Sequence, residues 1–394
     1  MAAGVYHWVE QHPGRAGTLA GWYQQACSLL PALVTVPLVI RRLTPVDAGL
    51  WFSFQSVLAF VALADFGLSA VLARQIAFSL TLNQTALPAT SEFMLTARGW
   101  PGVAEVHRIG CRLFGWLFVL GLLAVVLLYH LILPAGRFLA GAGPSTATAW
   151  YLLGLATLVS LQTRPHQAVL DGIGQVYWTR FLLGTQLLVS GLGVVSILLM
   201  GGGLPPMAAW VLAATLLHYT AVRLLVRRRL APVRGTGGPA ATPALARHLG
   251  RVALPMGTLN LSSFLVSSIQ APALGFLLGP QSVPPFYVAQ RIGQTLNLAV
   301  MQLLHPQLPL FTQELASGQS PRAQARMRRT ILLVTLLALA VNALFFLGSP
   351  WLLRWWTGRA EYVARDLLLV LALDYLLLSA SGAWGFFVLA SGRN

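Results

Sequence analysis

Ten apolar runs follow one another along this chain, at 19–40, 49–73, 113–133, 150–170, 180–200, 207–226, 252–278, 284–304, 330–348 and 366–389. A helix needs about 20 apolar residues to cross a bilayer. In hydrocarbon only helices and closed barrels can satisfy their backbone polar groups. Runs of this length therefore predict an all-α polytopic membrane protein. Composition agrees: 56% of the 394 residues are hydrophobic and 9% are charged, where a soluble domain carries about 25% charged residues.

The charges that remain are mostly basic. The formal net charge is +16, which in a soluble protein would suggest nucleic acid. Here the basic residues sit in short loops between apolar runs, where they set topology, so no nucleic-acid partner is expected. All 26 are Arg. Arg forks can bind phosphate bidentately, but a composition equally rich in Ala, Gly and Pro reads more simply as coding bias. With the N-terminus inside, 19 arginines fall in inner segments, six in outer segments, and one, Arg291, inside a span. That asymmetry predicts a cytoplasmic N-terminal tail (1–18).

Internal repetition organises the chain. A shift of 235 residues places Pro37 on Pro272, Leu43 on Leu278, Pro45 on Pro280, Trp51 on Phe286, Phe52 on Tyr287 and Gln55 on Gln290 without a gap. A repeated bend, corner proline, aromatic pair and glutamine point to duplication into two pseudo-symmetric helical lobes. The N-lobe is expected at 19–226 with six spans and the C-lobe at 252–394 with four, joined by a basic, Pro/Gly-rich cytoplasmic linker at 227–251. By span ten the offset has fallen to about 219, so the chain stops where the first half still has two spans to come. The C-lobe is therefore expected to lack about two helices. Pro31 and Pro37 should bend the first span. Asp65 lies inside a single second span, and SPWLLRWWTGRAEYVAR (349–365) reads as an interfacial helix.

Few residues offer chemistry. Arg291 is the one cation well inside a span; it either grips an anion in a polar cavity or snorkels to headgroups. Asp65 and Asp374 are the intramembrane acids and the ion-coupling candidates, although capping or bracing a span end is the simpler role for Asp65. Gln55 and Gln290 would face each other across a pseudo-two-fold cleft, or simply bond between helices. His130, His218 and His305 stand alone near span ends and read as anchors. Cys27 and Cys111 support neither a disulfide nor a zinc site. There is no phosphate-cradling loop and no H-E-x-x-H helix, so no metal, cofactor or catalytic residue is expected.

The stretch VIRRLTPVDAGLWFSFQSVLAFVALADFGLSAVLARQIA resembles the opening of the polysaccharide (O-antigen type) flippases of the multidrug/oligosaccharidyl-lipid/polysaccharide exporter superfamily. AVLDGIGQ and LLGPQSVPPFYVAQRI are similar to later parts of that pattern. The resemblance implies a transporter, not an enzyme, with two helical lobes around a central cavity. It implies a substrate of undecaprenyl-diphosphate-linked oligosaccharide, flipped across the inner membrane by alternating access, with membrane lipids and polysaccharide polymerases as neighbours. Arg291, with Arg42 or Arg74, would then hold the anionic head. A cation-coupled multidrug exporter of the same superfamily is the alternative, though it would need cavity acids and only Asp65 and Asp374 are available. An enzyme of polysaccharide assembly would need a large outer loop, and 349–365 is too short and too apolar.

Topology is testable directly. In a background without Cys27 and Cys111, cysteines at Gly235 and Thr357 should react with impermeant reagents from opposite sides. Labelling of Gly235→Cys from outside intact cells would reverse the assignment.

Overall fold

A computed structural model describes residues 13–81, 99–135, 137–139, 141–231, 269–301, 320–358 and 365–390, with 245, 247, 249–251, 253, 254, 257, 258, 261 and 262 between them. The described residues form helices and turns, with no strand among them. The helices are α1 (Pro13–Arg42), α2 (Pro45–Ala62), α3 (Leu68–Thr81), α4 (Trp100–Leu127), α5 (Ser145–Gly172), α6 (Val176–Leu199), α7 (Leu204–Leu230), α8 (Gln270–Leu278), α9 (Val283–Met301), α10 (Ser320–Thr357) and α11 (Arg365–Ala390). Among the described residues, α1, α4, α6, α7, α10 and α11 are long and apolar enough to cross a membrane. Their outer faces carry exposed apolar side chains such as Trp22, Trp116, Leu344 and Leu347, as a lipid-facing surface requires. The chain is a multi-pass, all-α membrane protein.

Two compact units divide the chain, Met1–Gln281 and Ser282–Asn394. In the first, α5 packs against α2, α3, α4 and α7, while α1 lies along α6. α5 covers the expected span 150–170, but it carries Gln162, Arg164, His166 and Gln167 and is too polar to count as a lipid-facing span. His166 and Gln167 are buried against its neighbours and Gln162 is half-buried, while Arg164 is exposed. α4 and α5 run antiparallel in a steady register. Trp150 Nε1 donates to the Val125 carbonyl at 3.0 Å, Gly121 packs on Leu158, and the Gln162 amide donates to the Phe114 carbonyl. In the second unit α9, α10 and α11 pack on one another around Val300, Val334, Ala338 and Ala383.

The first repeat corner is built locally. Thr44 caps α2: its hydroxyl accepts from the Asp47 amide at 3.1 Å and donates to the Asp47 carboxylate at 2.8 Å. Pro45 takes the first helical position, where its missing N–H is no loss. In the second copy, α8 ends at Gly279 with a φ of 94°, and Pro280 opens the next turn. The two copies touch. A Cβ at Gly49 on α2 would overlap the Pro280 carbonyl, Gly275 lies against Ser53 and Phe138, and the Arg137 amide donates to the Phe276 carbonyl at 2.9 Å.

Two expectations are corrected. Run 49–73 is not one helix: α2 stops at Ala62, a 3₁₀ turn covers Leu63–Asp65, and Phe66 and Gly67 take positive φ (45° and 73°) before α3 starts. The left-handed pair breaks the hydrogen-bond ladder, and apolarity alone could not reveal that. The interfacial segment is no separate helix either, because α10 continues through Trp351 and Trp355 to Thr357. Those two rings are exposed and stacked, their centroids 6.4 Å apart. Thr357 is fully buried, with its hydroxyl donating to the Leu353 carbonyl, so exposed Gly358 is the better labelling position on that loop. α1 runs unbroken through Pro31 and Pro37. The expected linker and run 252–278 lie largely outside the described residues, as do His305 and Gly235.

Gly49→Val should lower stability by about 1–3 kcal/mol, the usual cost of overpacking, seen as a lower melting temperature in detergent. Gly115→Ala on α4, where a Cβ meets open space, should leave it unchanged or slightly raised. An unaltered melting temperature for Gly49→Val would show that the second corner is not seated on α2.

Candidate functional site

Each unit carries its own polar seam between helices. In the second unit it lies between α9 and α11. Gln290, Gly293 and Asn297 recur at helical spacing on one face of α9. Opposite them, the Tyr375 hydroxyl donates to the Gln290 carbonyl at 3.0 Å, the Tyr375 ring covers Gly293 so closely that a Cβ there would overlap it, and the Ser379 hydroxyl donates to the Asn297 side chain. Arg291 is one residue round from this face and half-buried; it acts electrostatically on half-buried Tyr287 one turn before it. Asp374, next to Tyr375, is also half-buried. Neither Arg291 nor Asp374 forms an ion pair among the described residues. Gln290, Arg291 and Asp374 are thus carried by neighbouring helices of one unit.

Gln55, Asp65, Arg42 and Arg74 belong to the first unit. Arg42 is exposed at the end of α1 and Gln55 is exposed on α2. Arg74 on α3 is exposed, with its guanidinium 5.4 Å from the centre of the Phe78 ring. Asp65 is engaged at the break between α2 and α3. One carboxylate oxygen accepts from the Ser69 amide at 2.9 Å and the other from the Ser69 hydroxyl. That places a negative charge at the N-terminus of α3, where the helix dipole favours it. Capping is therefore its visible role.

The first unit's seam is richer than the sequence suggested. His107 and Cys111 share one face of α4, one turn apart, and both look toward His166 on α5. His107 Nε2 and His166 Nδ1 are hydrogen-bonded at 2.9 Å, and Cys111 Sγ is 3.4 Å from His107 Nε2. His166 also packs on Tyr219 of α7 (5.8 Å between centroids), and the Arg223 guanidinium lies 5.7 Å from the same ring. One residue along α5, the Gln167 amide donates to His218 Nε2 at 3.2 Å. His218 is therefore a buried partner rather than an isolated anchor. At the opposite end of α4 a π turn (Leu128–Ile132) presents His130, whose Nε2 bonds the Tyr151 hydroxyl at 2.8 Å. The i, i+4 pairing of His107 with Cys111 was readable in the sequence. Its meeting with His166, 59 residues on, depends on the α4–α5 register.

The fold of the chain is similar to that of solved transporters of the MOP superfamily. Three solved structures share it over nearly all of this chain. One is a multidrug resistance MATE family transporter in its inward-facing conformation (TM-score 0.61, 14% identity, covering 95% of this chain and 87% of that one). The same kind of transporter in its outward-facing conformation matches with TM-score 0.51 and 15% identity over 96% and 85% of the two chains. A MOP superfamily transporter from Pyrococcus furiosus, described as having a binding pocket of reversed polarity that suggests a different function, matches with TM-score 0.53 and 15% identity over 96% and 85%. No protein-family model matches the sequence, and neither does any curated protein. At this identity the likeness is one of fold.

Asp65→Asn should leave stability unchanged, because Asn caps about as well as Asp, whereas Asp65→Ala should cost about 1 kcal/mol. Thermal unfolding of the purified chain reads both. Loss of gradient-driven transport in a stable Asp65→Asn protein would instead give Asp65 the coupling role.

Proposed function

We propose that this chain flips undecaprenyl-diphosphate-linked oligosaccharide repeat units from the inner to the outer leaflet of the cell inner membrane, by alternating access, with its N-terminus in the cytoplasm. The product would feed O-antigen or related lipopolysaccharide synthesis. A diphosphate and a sugar chain cannot cross about 30 Å of hydrocarbon unaided, so the transporter must offer the head polar and cationic groups. The observation that carries this reading is Arg291, half-enclosed on α9 with no ion pair among the described residues. A guanidinium half-buried among apolar helices without a carboxylate is costly, and a diphosphate is a fitting counter-charge for its planar fork. Gln290, next to it on α9, would contribute a further polar contact to the head.

The cation-coupled multidrug exporter has support of its own in the MATE transporters that share the fold. It needs a free carboxylate. Asp65 is committed to its cap, which leaves Asp374 as the coupling candidate, and a proton or cation site there is compatible with either cargo.

Complementation of polysaccharide export in cells lacking their own flippase separates these readings. Arg291→Lys should lose part of the export and Arg291→Gln about 10- to 100-fold, the worth of a charge-assisted bond or two. Asp374→Asn should remove dependence on a pH gradient while substrate still binds. Full export by Arg291→Gln at normal protein level retires the phosphate grip. Drug efflux without any polysaccharide export would select the multidrug reading.

A further inference from the structure

We propose that His107, Cys111 and His166 form a binding site for an exchangeable transition-metal ion of the zinc class, tying α4 to α5 at the arginine-rich end of the first unit. This site is independent of the transported cargo, and nothing in the flippase reading requires it.

Three observations carry the assignment. First, the ligand atoms already converge: His107 Nε2, Cys111 Sγ and His166 Nδ1 all lie within 4.8 Å of one another. Second, their separations approach those of a coordination shell. Metal–nitrogen bonds of about 2.0 Å and a metal–sulfur bond of about 2.3 Å at tetrahedral angles put nitrogen about 3.3 Å from nitrogen and about 3.5 Å from sulfur. The observed values are 2.9 Å and 3.4 Å. A few tenths of an ångström of opening between the imidazoles would admit an ion in place of their shared proton. Third, the burial is graded: His166 is 7% exposed, while His107 and Cys111 are only partly buried. One ligand is therefore fixed inside the helix pair and two are open to an approaching ion.

The donor set selects the ion. One thiolate and two imidazoles suit zinc and its late first-row neighbours, whereas magnesium and calcium want oxygen. Arg223 acts electrostatically on both Cys111 and His166, and Arg227 on His166. Those cations oppose a dication, so the thiolate's negative charge is the part of the set that a bound ion could least do without. Three protein ligands leave a fourth position to water, the mark of an open site rather than a closed structural one. That is why exchangeable binding is assigned.

The test uses the whole chain, purified without a histidine tag, in detergent. Cobalt(II) is the spectroscopic probe and zinc(II) the affinity probe. The unaltered protein should show a thiolate-to-cobalt charge-transfer band with one ion per chain, and zinc should bleach it while magnesium does not. Cys111→Ser should abolish the band. His107→Ala and His166→Gln should each weaken zinc binding by more than the about 10- to 100-fold that losing an outer-shell partner costs. Cys27→Ser, the other cysteine, should leave both readouts unchanged. Zinc should raise the melting temperature of the unaltered chain and not that of Cys111→Ser. Absence of the band in unaltered protein, or a band that survives Cys111→Ser, overturns the site. Since these readouts need no transport, a failed complementation experiment leaves them intact.

Discussion

Hydrocarbon offers no hydrogen bond, and that constraint shapes everything in this chain. Each backbone N–H and C=O inside the bilayer must find its partner within the protein, so the described residues are helices joined by tight corners. Lipid tails also give apolar side chains no reason to prefer the interior. Leu344, Leu347 and Trp22 can therefore stay on the outside, and packing must come from shape and polar contacts. Glycine supplies the shape. Gly191 on α6 lets the Pro31 ring of α1 approach so closely that a Cβ would overlap it, and Gly154 does the same for Val125. Buried polar groups supply the rest, as where Trp150, Gln162, His166 and Gln167 of α5 reach partners on α4 and α7.

Run lengths and turn residues made much of this legible in advance. The apolar periods placed most helices within a few residues, because a spanning helix leaves a continuous hydropathy signal. The corner at Thr44–Asp47 was visible through its proline and its repetition at Pro280. The break at Phe66 and Gly67 sits inside an uninterrupted apolar run and depends on two backbone angles. α5 looked like any other span, yet its polar residues mark it as the helix the others enclose.

The positions of the candidate residues along the chain were legible, their neighbours across the helices less so. A half-buried arginine and acid in the second unit were expected, and Arg291 and Asp374 occupy neighbouring helices there. Tyr375, which joins Gln290 across the α9–α11 seam, could not be foreseen, since partners 85 residues apart in sequence meet only through packing. The same holds for His166. Hydrophobic pattern reports which face of a helix turns inward, not what it meets.

A polar residue among apolar helices has two resolutions, and both occur here. Asp65 is closed off locally: its two oxygens are taken by a single serine four residues on, which leaves little capacity for an ion or substrate. Arg291 is the opposite case: half-buried, it forms no ion pair among the described residues, and an arriving anion or the headgroups at the membrane surface could meet its charge. The distinction matters for mechanism. A satisfied polar group stabilises one arrangement of helices, whereas an unsatisfied one ties its own stability to an arriving ligand. A transporter needs groups of the second kind where cargo is held and groups of the first kind in the helices that hold them. That ordering favours Arg291 over Asp65 as the residue through which this chain would meet its substrate.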